Sequence, residues 1–99
     1  TLAEGISITW PVRWKQMLAA VRETGGEALT VVDEALPPVL RKFAGKGILM
    51  EPTSGVPFAG AEALLRAGKL AVDETVVIPV TGHGLKAADK LGKLLGEGH

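Results

Sequence analysis

The 99-residue sequence contains no cysteine and no tyrosine, and aromatic residues make up only 4% of it. The first absence excludes disulfides, thiol catalysis and cysteine-ligated metals. The scarcity of rings means that any core is built from Ala, Val, Leu and Ile. An excess of charge is missing too: eleven Lys and Arg balance eleven Asp and Glu, so no net field draws the chain to nucleic acid or to an anionic membrane. No apolar run approaches the roughly 18 to 20 residues that span a bilayer. The sequence has no G-x-G-x-x-G after an apolar run and no G-K-[ST], so neither a dinucleotide fingerprint nor a Walker loop is present. It has no fixed-period repeat and no low-complexity segment. Against these absences stands an apolar fraction of 46%, far too high for a disordered chain. The expectation is a soluble, cytoplasmic protein forming one domain or a piece of one, able to bury roughly two thirds of its unfolded surface.

The apolar pattern predicts four strand-helix units. Residues 2–8 read as a strand interrupted by Gly5, where another group can approach the backbone. A helix opens at Pro11, presents Trp14, Met17, Leu18 and Val21 on one face, and ends at Gly25-Gly26. Residues 28–32 form the second strand. Asp33 is a candidate cap for a helix carrying Leu36, Leu40 and Phe43, which begins either at Asp33 with Pro37 and Pro38 early or at Pro37 itself, with Gly45 and Gly47 closing it. Residues 47–51 are the third strand. Thr53 or Ser54 caps the next helix, whose Ala59, Gly60, Ala61 and Ala63 offer a small-residue surface for close packing, with Leu64 and Leu65 beside it and Gly68 at its end. The run Val76, Val77, Ile78, Val80 has the β-branched composition of a strand buried on both faces. A last helix, from 85 to 95, turns Leu85, Ala88, Leu91 and Leu95 inward and Lys86, Lys90 and Lys93 to solvent. The expected fold is α/β: βα units forming a mostly parallel sheet with flanking helices, joined by right-handed crossovers.

Such a sheet gathers its functional groups at the carboxyl ends of its strands, which here carry Thr9, Asp33, Glu51, Thr81 and His83. Asp33, Thr53 and Ser54 read most simply as caps. Glu51, between an apolar strand and Pro52, is expected to be partly buried and to need a partner. His83, flanked by Gly82 and Gly84 with no acid or second histidine nearby in sequence, reads as a turn residue, and His99 as part of a disordered tail. The lysines of the last helix are read as a solvated face. Spacing alone therefore leads to a polar site on an α/β edge and no further.

Four segments carry a resemblance. TGHGLK at 81–86, EPTSG at 51–55, LAEGISI at 2–8 and PVR at 11–13 together resemble the C-terminal part of the threonine synthases, pyridoxal-phosphate enzymes of the tryptophan-synthase-β (fold type II) superfamily. The EPTS and AEG segments are widespread in that superfamily, whereas TGHGLK favours the threonine synthases within it. The resemblance implies a parent enzyme, a lyase of threonine biosynthesis, that converts O-phosphohomoserine and water to threonine and phosphate. It implies a cofactor-binding set of Thr81, Gly82, Glu51 and Gly5. The Thr81 hydroxyl would hydrogen-bond the pyridine nitrogen, Glu51 would lie near the ring, and the backbone of Ala3, Glu4 and Gly5 would line one face of it. No lysine here matches the family's Schiff-base motif, and no glycine-rich phosphate loop is present. On this resemblance residues 1–99 are a C-terminal segment of the cofactor-binding catalytic domain. The segment would hold neither a catalytic residue nor a metal and would be inactive alone. Its partners would be the remainder of the enzyme and a small amino-acid substrate, in a homo-oligomer. The alternatives are a fragment of a serine/threonine dehydratase or β-replacement enzyme and, in another class, a self-sufficient non-catalytic α/β interaction module.

Overall fold

A computed structural model describes residues 2–96. Four α-helices, Trp14–Glu23 (α1), Leu36–Ala44 (α2), Pro52–Arg66 (α3) and Ala88–Gly96 (α4), alternate with 3-10 turns at Glu4–Ile6, Asp33–Ala35 and Gly84–Ala87. His99 lies outside the described residues, as do the side chains of Lys86, Ala88, Lys90 and Leu91.

The helix ends follow from their glycines. Gly25, Gly47 and Gly68 have φ of 66°, 83° and 73°, the left-handed conformation that lets the chain fold back on the last turn. Behind each, the next amide donates to a carbonyl of that turn: Gly26 N–H to Val21 O at 2.8 Å, Ile48 N–H to Phe43 O at 2.9 Å and Lys69 N–H to Leu64 O at 2.9 Å. The two prolines of α2 sit in its first turn, where no N–H is required. A 3-10 turn, Asp33–Ala35, precedes them, so the N-cap positions fall on Val32 for the turn and Ala35 for the helix, not on Asp33. The Asp33 carboxylate instead accepts the Leu2 N–H at 3.1 Å, tying the first described residue to the start of α2.

The core lies between α2 and α3. Leu36, Val39 and Leu40 are buried against Ala59, with Met50 and Ala3 closing the cluster, each larger side chain contributing about 1.5 to 3 kcal/mol. The helices approach closely because α3 presents Gly55 there: a Cβ on Gly55 would stand 3.1 Å from Leu40 Cδ2. The rings of Phe43 and Phe58 meet with centroids 4.4 Å apart, and Lys42 and Glu62 pair at 3.0 Å on the exposed rim. The small-residue surface thus packs, but on a helix and an extended segment; Gly60 lies against Leu29 and Val31.

The expected parallel sheet is absent among the described residues. Residues 4–6 form a 3-10 turn in place of the first strand, and 28–32 and 74–80 have no ladder. The only β-pairing described is an isolated antiparallel bridge between Met50 and His83. There the segment after the final extended run turns back along residues 49–51, with Glu51 N–H donating to Gly82 O at 3.1 Å and Gly84 N–H to Leu49 O at 3.2 Å. The physical reason is that β-branched residues favour an extended backbone, whereas a strand acquires its hydrogen bonds only from a neighbour. Here the run at 28–32 meets α3 through the side chains of Leu29 and Val31, a contact that supplies no ladder bonds. The amphipathic face of α1 is likewise unburied: Trp14, Met17 and Leu18 are all exposed.

Candidate functional site

The polar residues of greatest interest converge at the N-terminus of α3. Pro52 occupies its first helical position, which makes Glu51 the N-cap, with φ −69°, ψ 157° and no side-chain cap bond. Thr53 and Ser54 then fall inside the first turn, so neither is the cap that their residue types suggest. Their hydroxyls reach outward to other parts of the chain. Thr53 Oγ1 accepts the Gly5 N–H at 3.0 Å, and Ser54 Oγ accepts the Gly82 N–H at 2.9 Å. Ser54 Oγ also lies 3.1 Å from Thr81 Oγ1.

These bonds assemble Gly5, Glu51, Thr81 and Gly82 around one helix end. Thr81 is exposed while Gly82 is buried. The space a Cβ would fill on Gly82 is taken by the Glu51 carboxylate, and that on Gly5 by the Thr53 hydroxyl, 2.7 Å from the ideal Cβ position. Gly5 is thus closely approached by the short Thr53 side chain, and Gly82 by the movable end of Glu51. His83 is exposed, and its Nδ1 accepts the Leu85 N–H at 3.1 Å, which closes the turn into the following 3-10 segment. Two other strand-end residues stay outside the cluster. Thr9 lines a groove over α1 with Trp10 and Trp14, and Asp33 is engaged with Leu2. Ser54 and Thr53 are the residues that sequence reasoning passed over, and Pro52 was the signal, since a proline at the first helical position moves the cap to the residue before it.

Beside the cluster opens a cleft of about 610 Å³, lined by Val56, Gly60 and Leu64 of α3 together with Leu29, Val76 and Ile78. Thr53 and Thr81 are, among the described residues, the hydroxyl-bearing ones that line it. Among the described residues no group of three or more His, Asp or Glu could hold a metal ion, and no helix is long and apolar enough to cross a membrane.

Comparison with known proteins gives this site a context. The family model described as "Pyridoxal-phosphate dependent enzyme" matches residues 1–82. The chain is 40% identical over 90 residues to the threonine synthase of Methanocaldococcus jannaschii, covering 90% of this chain and 22% of that protein. It is 41% identical over 87 residues to the threonine synthase of Methanosarcina acetivorans, covering 87% of this chain and 22% of that protein. To the threonine synthase of Mycobacterium tuberculosis it is 33% identical over 90 residues, covering 90% of this chain and 25% of that protein. The chain therefore spans about a quarter or less of the curated relatives it matches. The matched family implies an α/β domain of fold type II, to which the described residues contribute helices and extended segments. With the family model covering residues 1–82 and the relatives agreeing, the chain belongs to the pyridoxal-phosphate dependent enzymes, whose cofactor is pyridoxal phosphate.

Proposed function

We propose that the protein is part of an enzyme that converts O-phosphohomoserine and water to threonine and phosphate, and that this chain forms the pyridine-nitrogen side of the cofactor site. The observation that carries the reading is the exposed Thr81 hydroxyl, held against buried Ser54 at 3.1 Å at the mouth of an apolar cleft. When bound, pyridoxal phosphate supplies an electron sink for bonds at the amino-acid α-carbon. Thr81 offers the ring nitrogen a neutral hydroxyl. A hydroxyl, unlike a carboxylate, does not hold a proton on that nitrogen, so the sink is weakened and elimination and replacement are favoured over transamination. Glu51, fixed across Gly82, bounds the site beside Thr81, and the backbone at Gly5, bonded to Thr53, lines an adjoining wall.

In this reading residues 1–99 are a C-terminal segment of the catalytic domain. The Schiff-base lysine and the phosphate cradle come from the remainder of a soluble, cytoplasmic, homo-oligomeric enzyme, and the chain alone is inactive. Similarity to threonine synthases favours that reaction over the dehydratase or β-replacement chemistry of the same superfamily. The test is a steady-state assay of the full-length parent with O-phosphohomoserine. Stoichiometric release of phosphate and threonine is expected. A keto-acid product, or no phosphate, overturns the assignment.

A further inference from the structure

Thr81 does not set its own direction. Its neighbour Ser54 is 1% exposed and sits on the first turn of α3, where the helix backbone fixes its position. A serine hydroxyl has one proton to give and two lone pairs to offer. One lone pair receives the Gly82 N–H at 2.9 Å, a donor whose direction cannot reverse. The proton has two destinations, Thr81 Oγ1 at 3.1 Å and the Gly82 carbonyl at 3.4 Å. That carbonyl accepts the Glu51 N–H at 3.1 Å and keeps a second lone pair, so length decides between the two, and at 3.4 Å the bond to the carbonyl is the longer and weaker.

We infer that Ser54 is a positioning residue that donates to Thr81 Oγ1, so that the chain runs one way, from Gly82 N–H through Ser54 O–H to Thr81 O–H and out into the cleft. Thr81 is thereby fixed as a donor, and the atom it meets must be an acceptor: an unprotonated heteroaromatic nitrogen. With the Ser54 bond reversed, Thr81 would present a lone pair and would suit a protonated ring, the stronger electron sink. Bonds in such a chain polarise one another, and the amides at the start of α3 add a positive field of the same sense. The inference rests on the reading that Thr81 faces the cofactor ring, and it adds that the buried serine decides which protonation state of that ring the site accepts.

The test uses the full-length holoenzyme loaded with pyridoxal phosphate isotopically labelled at the ring nitrogen, whose resonance reports hydrogen bonding independently of turnover. Thr81→Val should move that resonance toward the value of a nitrogen with no donor. Ser54→Ala should move it part of the way, and the double variant should match Thr81→Val alone. For Ser54→Ala, kcat should fall about tenfold, roughly the worth of one hydrogen bond, with KM within about twofold of the parent's, and Ser54→Thr should restore both signals. If Ser54→Ala does not fold, Ser54→Cys keeps the side-chain shape with a somewhat larger atom and a weaker donor, and should shift the resonance in the same direction. A resonance that moves in Thr81→Val but not in the Ser54 variants overturns the role of Ser54 and leaves the Thr81 reading standing. A resonance unmoved in Thr81→Val overturns both.

Discussion

Gly82 and Glu51 compete for one volume, so the local conformation depends on a side chain that Gly82 lacks. In the full-length enzyme Gly82→Ala must displace the Glu51 carboxylate, the far end of a flexible side chain, so the loss should be small, about 1 kcal/mol or less. Thermal unfolding should show a lowered Tm that Glu51→Ala restores in the same background. Strictly additive losses would mean that the two residues do not share the space. Thr53→Val keeps the side-chain shape while removing the acceptor for Gly5 N–H, and should cost about 1 kcal/mol in a denaturant titration. At this scale the sequence was partly readable. Residue type and position drew attention to Thr81 and Glu51 at the ends of apolar runs and to Gly5 as a point of close approach, whereas only the family resemblance joined them with Gly82 into one set. Ser54 and Thr53 could not be singled out, because a hydroxyl near a helix start is ordinarily a cap, and the shift imposed by Pro52 becomes evident only when the helix register is known.

The helices were legible because each is specified locally: an amphipathic stripe, prolines in the first turn of α2 and α3, and a left-handed glycine at the end of α1, α2 and α3. The strands were not, because the β-branched runs determine an extended backbone and leave the pairing to whatever lies alongside. The run at 28–32 meets α3 through Leu29 and Val31, a contact that no alternation of apolar and polar residues encodes. The packing of α2 on α3 is therefore what holds the described residues together, and it should be the most sensitive element to truncation. Leu36 is 1% exposed at the centre of that contact. Leu36→Ala removes three side-chain carbons from a site closed in by α3, and it should cost about 2 to 5 kcal/mol. Met17→Ala on α1, where the side chain is 54% exposed, should cost far less. Equal losses in chemical denaturation of the two variants would show that α1 is packed as tightly as α2.

Taken whole, the chain buries less than its composition promises. Its accessible surface is 7207 Å², whereas a compact monomer of this mass exposes about 5,400 Å². Its radius of gyration is 14.5 Å, against about 13 Å for a compact domain of this length. The excess of about 1,800 Å² exceeds the roughly 800 Å² that each partner contributes to a stable interface. Much of it is apolar: Trp10, Val12, Val72, Val77 and Leu85 are each more than half exposed, and the extended backbone at 74–80 has no ladder partner. Exposed apolar surface and unpaired extended backbone both favour association, and the balanced charge supplies no net repulsion to oppose it. The isolated 99-residue chain should therefore sediment as dimers or larger species that dissociate on dilution, whereas a clean monomer at high concentration would show that the exposed faces close on one another in solution. Because the unpaired runs flank the cleft beside Thr81, association through them should also shield Val76 and Ile78. Amide exchange along 74–80 should accordingly slow as concentration rises, while exchange in α2, buried within each copy, stays constant.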